Sequence, residues 1–334
     1  MKSLTTNVVI EARKLIKHFP LKLGFFKTLL SKQVPYVHAV DDVSFKIFGQ
    51  EVFGLVGESG CGKTTTGRLL IRLIEPTAGE VVFKGINVTS INSEKEMRKL
   101  RSKMQIIFQD PYESLNPRMS VFDIIAEPLR IQNVTENEDE LRERVLQTLE
   151  DLDLTPPEEF VFRFPHELSG GQRQRVAIGR AFVLRPEFLV ADEPVSMLDV
   201  SIRSEVLRLL LGLIERYHSS FLYITHDVAL ARHMCGRIAV MYLGKIVEQG
   251  STDKVIQEPM HPYTEALIAA VPVPDPEARR TKVVIKGEVP SAINPPPGCR
   301  FHTRCPYAWE ICRKKEPPLA AIEKDRYVAC HKYK

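Results

Sequence analysis

Apolar and polar residues change rhythm several times along this 334-residue chain. NVVIEARKL (7–15) and VSFKI (43–47) alternate in part, and EVFGLVG (51–57) is a short apolar run closed by Gly57. The N-terminal part therefore predicts strands. KTTTGRLLIRLI, from Lys63, has apolar residues at helical spacing and predicts a helix opening near Gly62. ELRERVLQTLEDLDL (140–154) keeps that period with many charges, the pattern of a surface helix. RQRVAIGRAFVLRP is a further helical stretch, stopped by Pro186. FLVADEP (188–194) and FLYITHD (221–227) are apolar runs of strand length on either side of the helical EVLRLLLGLIERYHSS. Such runs fit strands buried on both faces. Strands alternating with helices predict an α/β fold with a mainly parallel sheet.

After about residue 255 the pattern changes. HPYTEALIAAVPVPDPEARR predicts one short helix and then a Pro-rich linker, and prolines crowd residues 259–297. A boundary near 270 divides a large domain, 1–270, from a small one, 271–334; there is no internal repeat. With 44% hydrophobic and 26% charged residues the chain can bury a sizeable core. The net charge of +4 is small for this length and no basic block stands out, which argues against a nucleic-acid partner. No apolar run reaches the roughly 18 residues that span a bilayer. MKSLTTNVVIEARKL lacks the apolar core of a signal peptide, so a cytosolic chain is expected, where structural disulfides are rare.

GESGCGKT, Gly57 to Thr64, fits G-x-x-x-x-G-K-[ST] between an apolar run and a helical one. Glycines let backbone N–H groups turn inward around phosphate oxygens, and the helix that follows points its positive end at the same place. Lys63 would reach the β- and γ-phosphates and the Thr64 hydroxyl would ligate Mg²⁺. Cys61 reads as a small residue whose side chain points away from the nucleotide, although its oxidation would block so tight a loop. FLVADEP sets Asp192 and Glu193 at the C-terminal end of a buried strand, the edge where ligands bind in parallel α/β sheets. Asp192 can hold the Mg²⁺ shell and Glu193 can polarise an attacking water; the plainer alternative is a pair of acids capping the next helix.

LSGGQRQR (168–175), together with the phosphate loop, resembles the ATP-binding subunits of ABC transporters. Ser169, Gly170 and Gly171 open a helix, so hydroxyl, backbone N–H and helix dipole all face an anion. The resemblance implies a phosphate-loop ABC ATPase with a RecA-like core, a helical subdomain at about 113–175 and a small Pro- and Cys-rich C-terminal domain. It implies ATP contacts at Gly57, Ser59, Gly60, Cys61, Gly62, Lys63, Thr64 and Thr65, and, across a dimer interface, at Ser169, Gly170, Gly171 and Gln172. Gln109, in IIFQDPYESLNP, matches the glutamine that joins Thr64 and Asp192 around Mg²⁺. Asp199, in SMLD, matches the aspartate crossing the interface, and His226, in YITHD, the histidine on the γ-phosphate. Glu193, His226, Gln109 and Lys63 form the implied catalytic set. Phe19 fits the place of the aromatic stacked on adenine, and Tyr36 competes with it.

HAVDDVSF, QDPYESLNPRMSV, VMYLGKIVE and HPYTEAL look like the ATPases of dipeptide and oligopeptide importers, and the resemblance spans roughly residues 7–330. VMYLGKIVE is more similar to their second, F-type ATPase subunit. Implied partners are a second ABC ATPase subunit (a heterodimer in the transporter, a homodimer in isolation), two membrane permease subunits and, indirectly, an extracytoplasmic peptide-binding protein. The implied place is the cytoplasmic face of the membrane, peripherally attached. Residues 109–121 would form part of a groove for a short permease helix, and 113–175 would rotate on closure. The cargo is not written in this chain: dipeptide, longer peptide and nickel stay open. The competing reading is a soluble ABC ATPase of DNA repair or translation. It lacks support in a single cassette whose phosphate loop and signature are separated by only about a hundred residues without sustained heptads.

Four of the six cysteines, Cys299, Cys305, Cys312 and Cys330, fall near the C-terminus with spacing C-x5-C-x6-C-x17-C. Structural zinc sites usually show close C-x2–4-C pairs, absent here. Four spread thiolates can instead wrap a [4Fe–4S] cluster, with zinc as the alternative and free thiols last; the resemblance to peptide-importer ATPases points the same way. His302 and His331 are expected as exposed polar residues without a special role. Cys235 reads as a buried small apolar residue.

Overall fold

The computed structural model describes residues 5–21, 35–271, 285 and 287–333. Most of the Pro-rich linker lies outside the described residues. In chain order the elements begin with β1 (Thr5–Pro20), β2 (Tyr36–Gly49), β3 (Val52–Val56), α1 (Lys63–Leu70), β4 (Ala78–Phe83) and β5 (Ile86–Asn87). Then come α2 (Glu94–Arg101), β6 (Met104–Ile107), α3 (Pro111–Ser114), α4 (Val121–Gln132), α5 (Glu138–Asp151), α6 (Gly170–Phe182), β7 (Phe188–Asp192) and α7 (Val200–Tyr217). The last are β8 (Ser220–Thr225), α8 (Val228–Met234), β9 (Arg237–Tyr242), β10 (Lys245–Ser251), α9 (Thr252–Gln257), α10 (Pro262–Ala269), α11 (Glu310–Lys314), β11 (Ala320–Glu323) and β12 (Arg326–Val328).

The chain forms two compact units. One comprises Met1–Val9, Ile47–Glu51 and Ser90–Tyr223; the other comprises Ile10–Lys46, Val52–Thr89 and Ile224–Lys334. In the first, β6, β7 and β8 lie in that order, with β6 and β7 parallel. All five residues of β7 and all six of β8 are buried, as apolar runs without alternation require. Between residues 113 and 175 lie α4, α5 and the start of α6, and these helices begin where side chains cap them. Ser120 accepts from the Asp123 N–H at 3.1 Å to open α4, and Asn137 accepts from the Glu140 N–H at 2.8 Å to open α5. On α5 only one stripe is buried, including Leu141, Val145 and Leu149, as a surface helix needs.

The second unit holds two sheets. One runs β2-β1-β4-β5 and is antiparallel where β4 meets β1 and β5. The other runs β3-β9-β10-β12-β11; β3 and β9 are parallel and the remaining pairs antiparallel. The parallel expectation thus holds for the strands next to the phosphate loop, and long antiparallel ladders are added to it. The helix predicted from Lys63 ends at Leu70 rather than running on, because Arg72 turns left-handed at φ 52°.

The C-terminal region joins this unit through β12. Glu248 on β10 is fully buried and accepts from Arg326 (2.6 Å), from the Met260 N–H (3.1 Å) and from the His261 N–H (2.9 Å). One buried carboxylate therefore ties β12 to the loop before α10. Arg326→Ala leaves that carboxylate without its counter-charge and is expected to lower stability by about 3–5 kcal/mol in urea unfolding. A loss below about 1 kcal/mol would show the pair to be idle.

Candidate functional site

The phosphate loop lies between β3 and α1. Lys63 is buried, and its Nζ donates to the carbonyl oxygens of Gly57 (2.7 Å) and Glu58 (3.0 Å). The loop therefore curls around its own lysine. Two glycines permit this. A Cβ on Gly57 would lie 2.2 Å from the Met241 carbonyl oxygen, and one on Gly62, at φ +108°, would lie 2.1 Å from that of Ala39. Gly62 is also the N-cap of α1 and offers no side-chain cap, so the helix start keeps its positive end for an anion. Ser59 and Gly60 are exposed, and Thr64 and Thr65 half-buried. Cys61 is buried and burial pushes its thiol up, so the reactive thiolate is disfavoured.

Two further groups fix this loop from the same unit. The Glu58 N–H donates to the Tyr263 hydroxyl at 2.8 Å, and the Glu58 carboxylate accepts from two nitrogens of Arg304 at 3.0 and 3.4 Å. Sequence reasoning missed both. HPYTEAL carried a resemblance but no role, and Glu58 and Arg304 are 246 positions apart.

In the first unit, Asp192 ends β7 and is buried. Glu193 follows in the left-handed region at φ 47°, and its carbonyl accepts from the Ser196 N–H at 3.1 Å. This tight turn carries the Glu193 carboxylate to within 3.4 Å of Gln109 Nε2, which donates to it. The structure thus brings Gln109 and Glu193 together. Asp199 is exposed and its side chain does not cap α7, while Arg203 donates to the Leu198 and Ser196 carbonyls and pins the turn before it. Ser169 opens α6 in a capping box: its hydroxyl accepts from the Gln172 N–H (3.3 Å) and Gln172 accepts from the Ser169 N–H (3.1 Å). A Cβ on Gly171 would come within 2.8 Å of Ile202, whereas one on Gly170 would meet Leu198 at an ordinary 3.7 Å. Gln105, Ile106, Phe108, Ser114, Leu115 and Arg180 are among the residues lining a cavity of about 70 Å³ in this unit.

In the second unit His226 is exposed just beyond β8. Phe19 ends its strand with Lys17 Nζ 5.0 Å from its ring centroid, Tyr36 opens β2, and both rings are exposed. His18 and His38 have ring centroids 4.0 Å apart beside Asp41. Arg300 donates to the Asp41 carboxylate, so that charge already has a cationic partner and does not call for a metal.

Cys299, Cys305, Cys312 and Cys330 line one cavity of about 20 Å³ with Phe301 and His331. Among the described residues, the metal-ligating donors that gather in a group within 4.8 Å are those of His18, His38 and Asp41, so the four sulfurs are spread more widely. A single zinc with four thiolates needs sulfurs about 3.8 Å apart, from Zn–S bonds near 2.3 Å. Four cysteines lining one cavity are the donor set that an iron–sulfur cluster would take. Burial pushes the Cys299 thiol up to about 12 and Cys305 to about 11, so any metal group must displace protons here. The expectation of an exposed His331 is corrected: it is buried, with Nε2 bonded to the Lys315 carbonyl at 2.8 Å and Nδ1 buried without a protein partner. The Trp309 ring, with its centroid 6.5 Å away, lies edge-on to it. His302 is half-buried, with Nδ1 on the Cys299 carbonyl. Cys235 is buried.

The family model described as ABC transporter matches residues 40–196, and the one described as oligopeptide/dipeptide transporter, C-terminal region, matches 247–312. The oligopeptide transport ATP-binding protein AppF of Bacillus subtilis is 44% identical over 335 residues, covering 100% of each chain. The putative oligopeptide transport ATP-binding protein YkfD of the same organism is 50% identical over 300 residues, 89% of this chain and 90% of its own. Among solved structures, the ATP-binding cassette MJ0796, a dimer in a post-hydrolysis state bound to ADP and Pi, superposes with a TM-score of 0.62 at 28% identity. It covers 73% of this chain and 98% of its own.

Gly62→Ala forces a Cβ against the Ala39 carbonyl at a left-handed position. Loss of nucleotide binding by at least about a hundredfold is expected in equilibrium titration, with stability lowered by about 1–3 kcal/mol. Unchanged binding would show that the loop's shape is not set there.

Proposed function

The chain belongs to the ATP-binding subunits of peptide ABC transporters, and from that premise we propose that it hydrolyses ATP to drive import of di- or oligopeptides. The observation that carries this reading is the loop Gly57–Thr64, curled around the buried Lys63 ahead of a helix start without a side-chain cap. The Lys63 ammonium now rests on two peptide carbonyls. Phosphate oxygens are stronger acceptors for it, so nucleotide recruits a cation that is already in place.

Hydrolysis needs a water aimed at the γ-phosphate and charge neutralised as it leaves. Glu193 orients and polarises that water. Gln109, hydrogen-bonded to it at 3.4 Å, fixes its direction; Thr64, Gln109 and Asp192 would hold Mg²⁺, which would neutralise phosphate charge. His226 meets the γ-phosphate. The helix start at Ser169, Gly170, Gly171 and Gln172 faces the nucleotide of an opposing subunit, with Asp199 crossing beside it. Each chain then carries two half-sites, and closing two chains over two ATP molecules completes both. ATP bound more tightly in the closed state drives that closure.

The opposing chain is a second ABC ATPase subunit, and residues 109–121 form part of a groove for a short helix of one of two permease subunits. The chain works at the cytoplasmic face of the membrane as a peripheral subunit. No helix among the described residues is long and apolar enough to cross a membrane. Residues 1–270 act as the nucleotide-binding part, and 271–334 as a cysteine-rich part whose Cys299, Cys305, Cys312 and Cys330 would hold a [4Fe–4S] cluster. That group would supply a redox-sensitive cross-link of the tail, and ATP chemistry does not pass through it.

Glu193→Gln is expected to bind MgATP within a few-fold of the parent while hydrolysis falls by about 10²–10⁴. Hydrolysis at the parental rate would remove Glu193 from the reaction. Protein purified without oxygen is expected to carry about four irons and four acid-labile sulfides per chain, lost in Cys299→Ser, Cys305→Ser. One zinc per chain without sulfide would refute the cluster.

A further inference from the structure

Glu58 places a carboxylate inside the phosphate loop. A loop that gathers N–H groups around polyphosphate here contains a carboxylate, at the position after its first glycine. A negative charge so close to the bound anion opposes binding unless something neutralises it. Arg304 does so in fork geometry, with two nitrogens at 3.0 and 3.4 Å from the two carboxylate oxygens. The guanidinium is almost fully buried and lies 5.9 Å from the ring centroids of both Tyr242 and Phe301. It is thus held in place before any nucleotide arrives.

The backbone of Glu58 is held as well. Its N–H donates to the Tyr263 hydroxyl at 2.8 Å, and its carbonyl accepts from Lys63 at 3.0 Å. Tyr263 is fully buried, with its ring centroid 4.6 Å from that of Tyr242 and 5.5 Å from that of Phe301. Burial raises its hydroxyl far above its ordinary ionisation range, so it stays neutral. Both Tyr263 and Arg304 lie in the segment 247–312 matched as the C-terminal region of peptide transporters, while Glu58 lies in 40–196, the part matched as ABC transporter.

We propose that Tyr263 and Arg304 are positioning residues of the phosphate loop. Tyr263 fixes the peptide that Lys63 leans on, and Arg304 cancels the Glu58 charge, so the C-terminal region sets how tightly the loop holds ATP. This rests on the ATP-binding reading above.

The test is MgATP affinity of the full chain by calorimetry, with steady-state hydrolysis alongside. Arg304→Ala is expected to raise the Kd about tenfold by exposing ATP to an unpaired carboxylate. Adding Glu58→Ala to it is expected to return the Kd to within about twofold of the parent, because the two residues act through each other. Arg304→Lys, which keeps the charge and loses the fork, falls between. Tyr263→Phe raises KM about threefold with kcat unchanged, as loss of one hydrogen bond that positions binding requires. A purely structural role predicts the opposite pattern: lowered melting temperature, unchanged Kd and no rescue by Glu58→Ala. That pattern would overturn the proposal. If Arg304→Ala does not fold, Arg304→Lys and Tyr263→Phe decide it on the same readouts. Failure of the parent chain to bind MgATP would instead overturn the ATP-binding reading and the proposal with it.

Discussion

Lys63 must stay charged while buried, and the phosphate loop is shaped by that demand. A buried ammonium is tolerated only where acceptors surround it. Here the acceptors are the carbonyls of Gly57 and Glu58, six and five residues back along the same loop. Closing so small a ring brings the backbone against its neighbours, and the Met241 and Ala39 carbonyls leave no space for side chains at Gly57 and Gly62. β3 and β9 supply the rigid parallel pair from which the loop departs. The helix start that follows has no side-chain cap, so its positive end is turned to an anion. Charge, glycine and helix dipole are consequences of one geometric requirement.

The C-terminal region takes part in this geometry. The buried pair Glu248–Arg326 fastens β12 to β10, and Glu248 also holds the peptide N–H groups of Met260 and His261. That sets the position of α10 and hence of Tyr263. The rings of Tyr242, Tyr263 and Phe301 pack edge and face against one another, and Phe301 also lines the cysteine cavity. One aromatic cluster therefore has the phosphate loop on one side and four cysteines on the other. Arg300 adds a second tie, bonding the Leu243 carbonyl and the Asp41 carboxylate.

What could be read in the sequence was local. The loop Gly57–Thr64, the apolar strand before Asp192 and the capped helix start at Ser169 are each written in fewer than about ten consecutive residues, and each formed as its pattern implied. The elements that escaped depend on distant partners. β1 and β2 read as strands, but their antiparallel sheet with β4 and β5 follows from pairing that alternation alone does not specify. His331 looked like a surface residue because it is polar; it is buried, with the Lys315 carbonyl and the Trp309 ring against it. The Glu58–Arg304 pair joins positions 246 apart, and nothing in either neighbourhood announces the other. The cysteine spacing suggested a shared site, and it took the fold to line one cavity with all four.

The central claim is that each chain carries two half-sites that work only when paired across a dimer. Its most direct test mixes two inactive variants of this chain, Lys63→Ala and Gly170→Glu. The second places a carboxylate at the start of α6, where an added Cβ meets only ordinary contact. Each alone should be inactive, whereas a mixed dimer should contain one intact composite site. The account predicts recovered ATP hydrolysis on mixing, rising with total protein concentration. A mixture as inactive as its components, or either variant hydrolysing ATP alone at the parental rate, would contradict it.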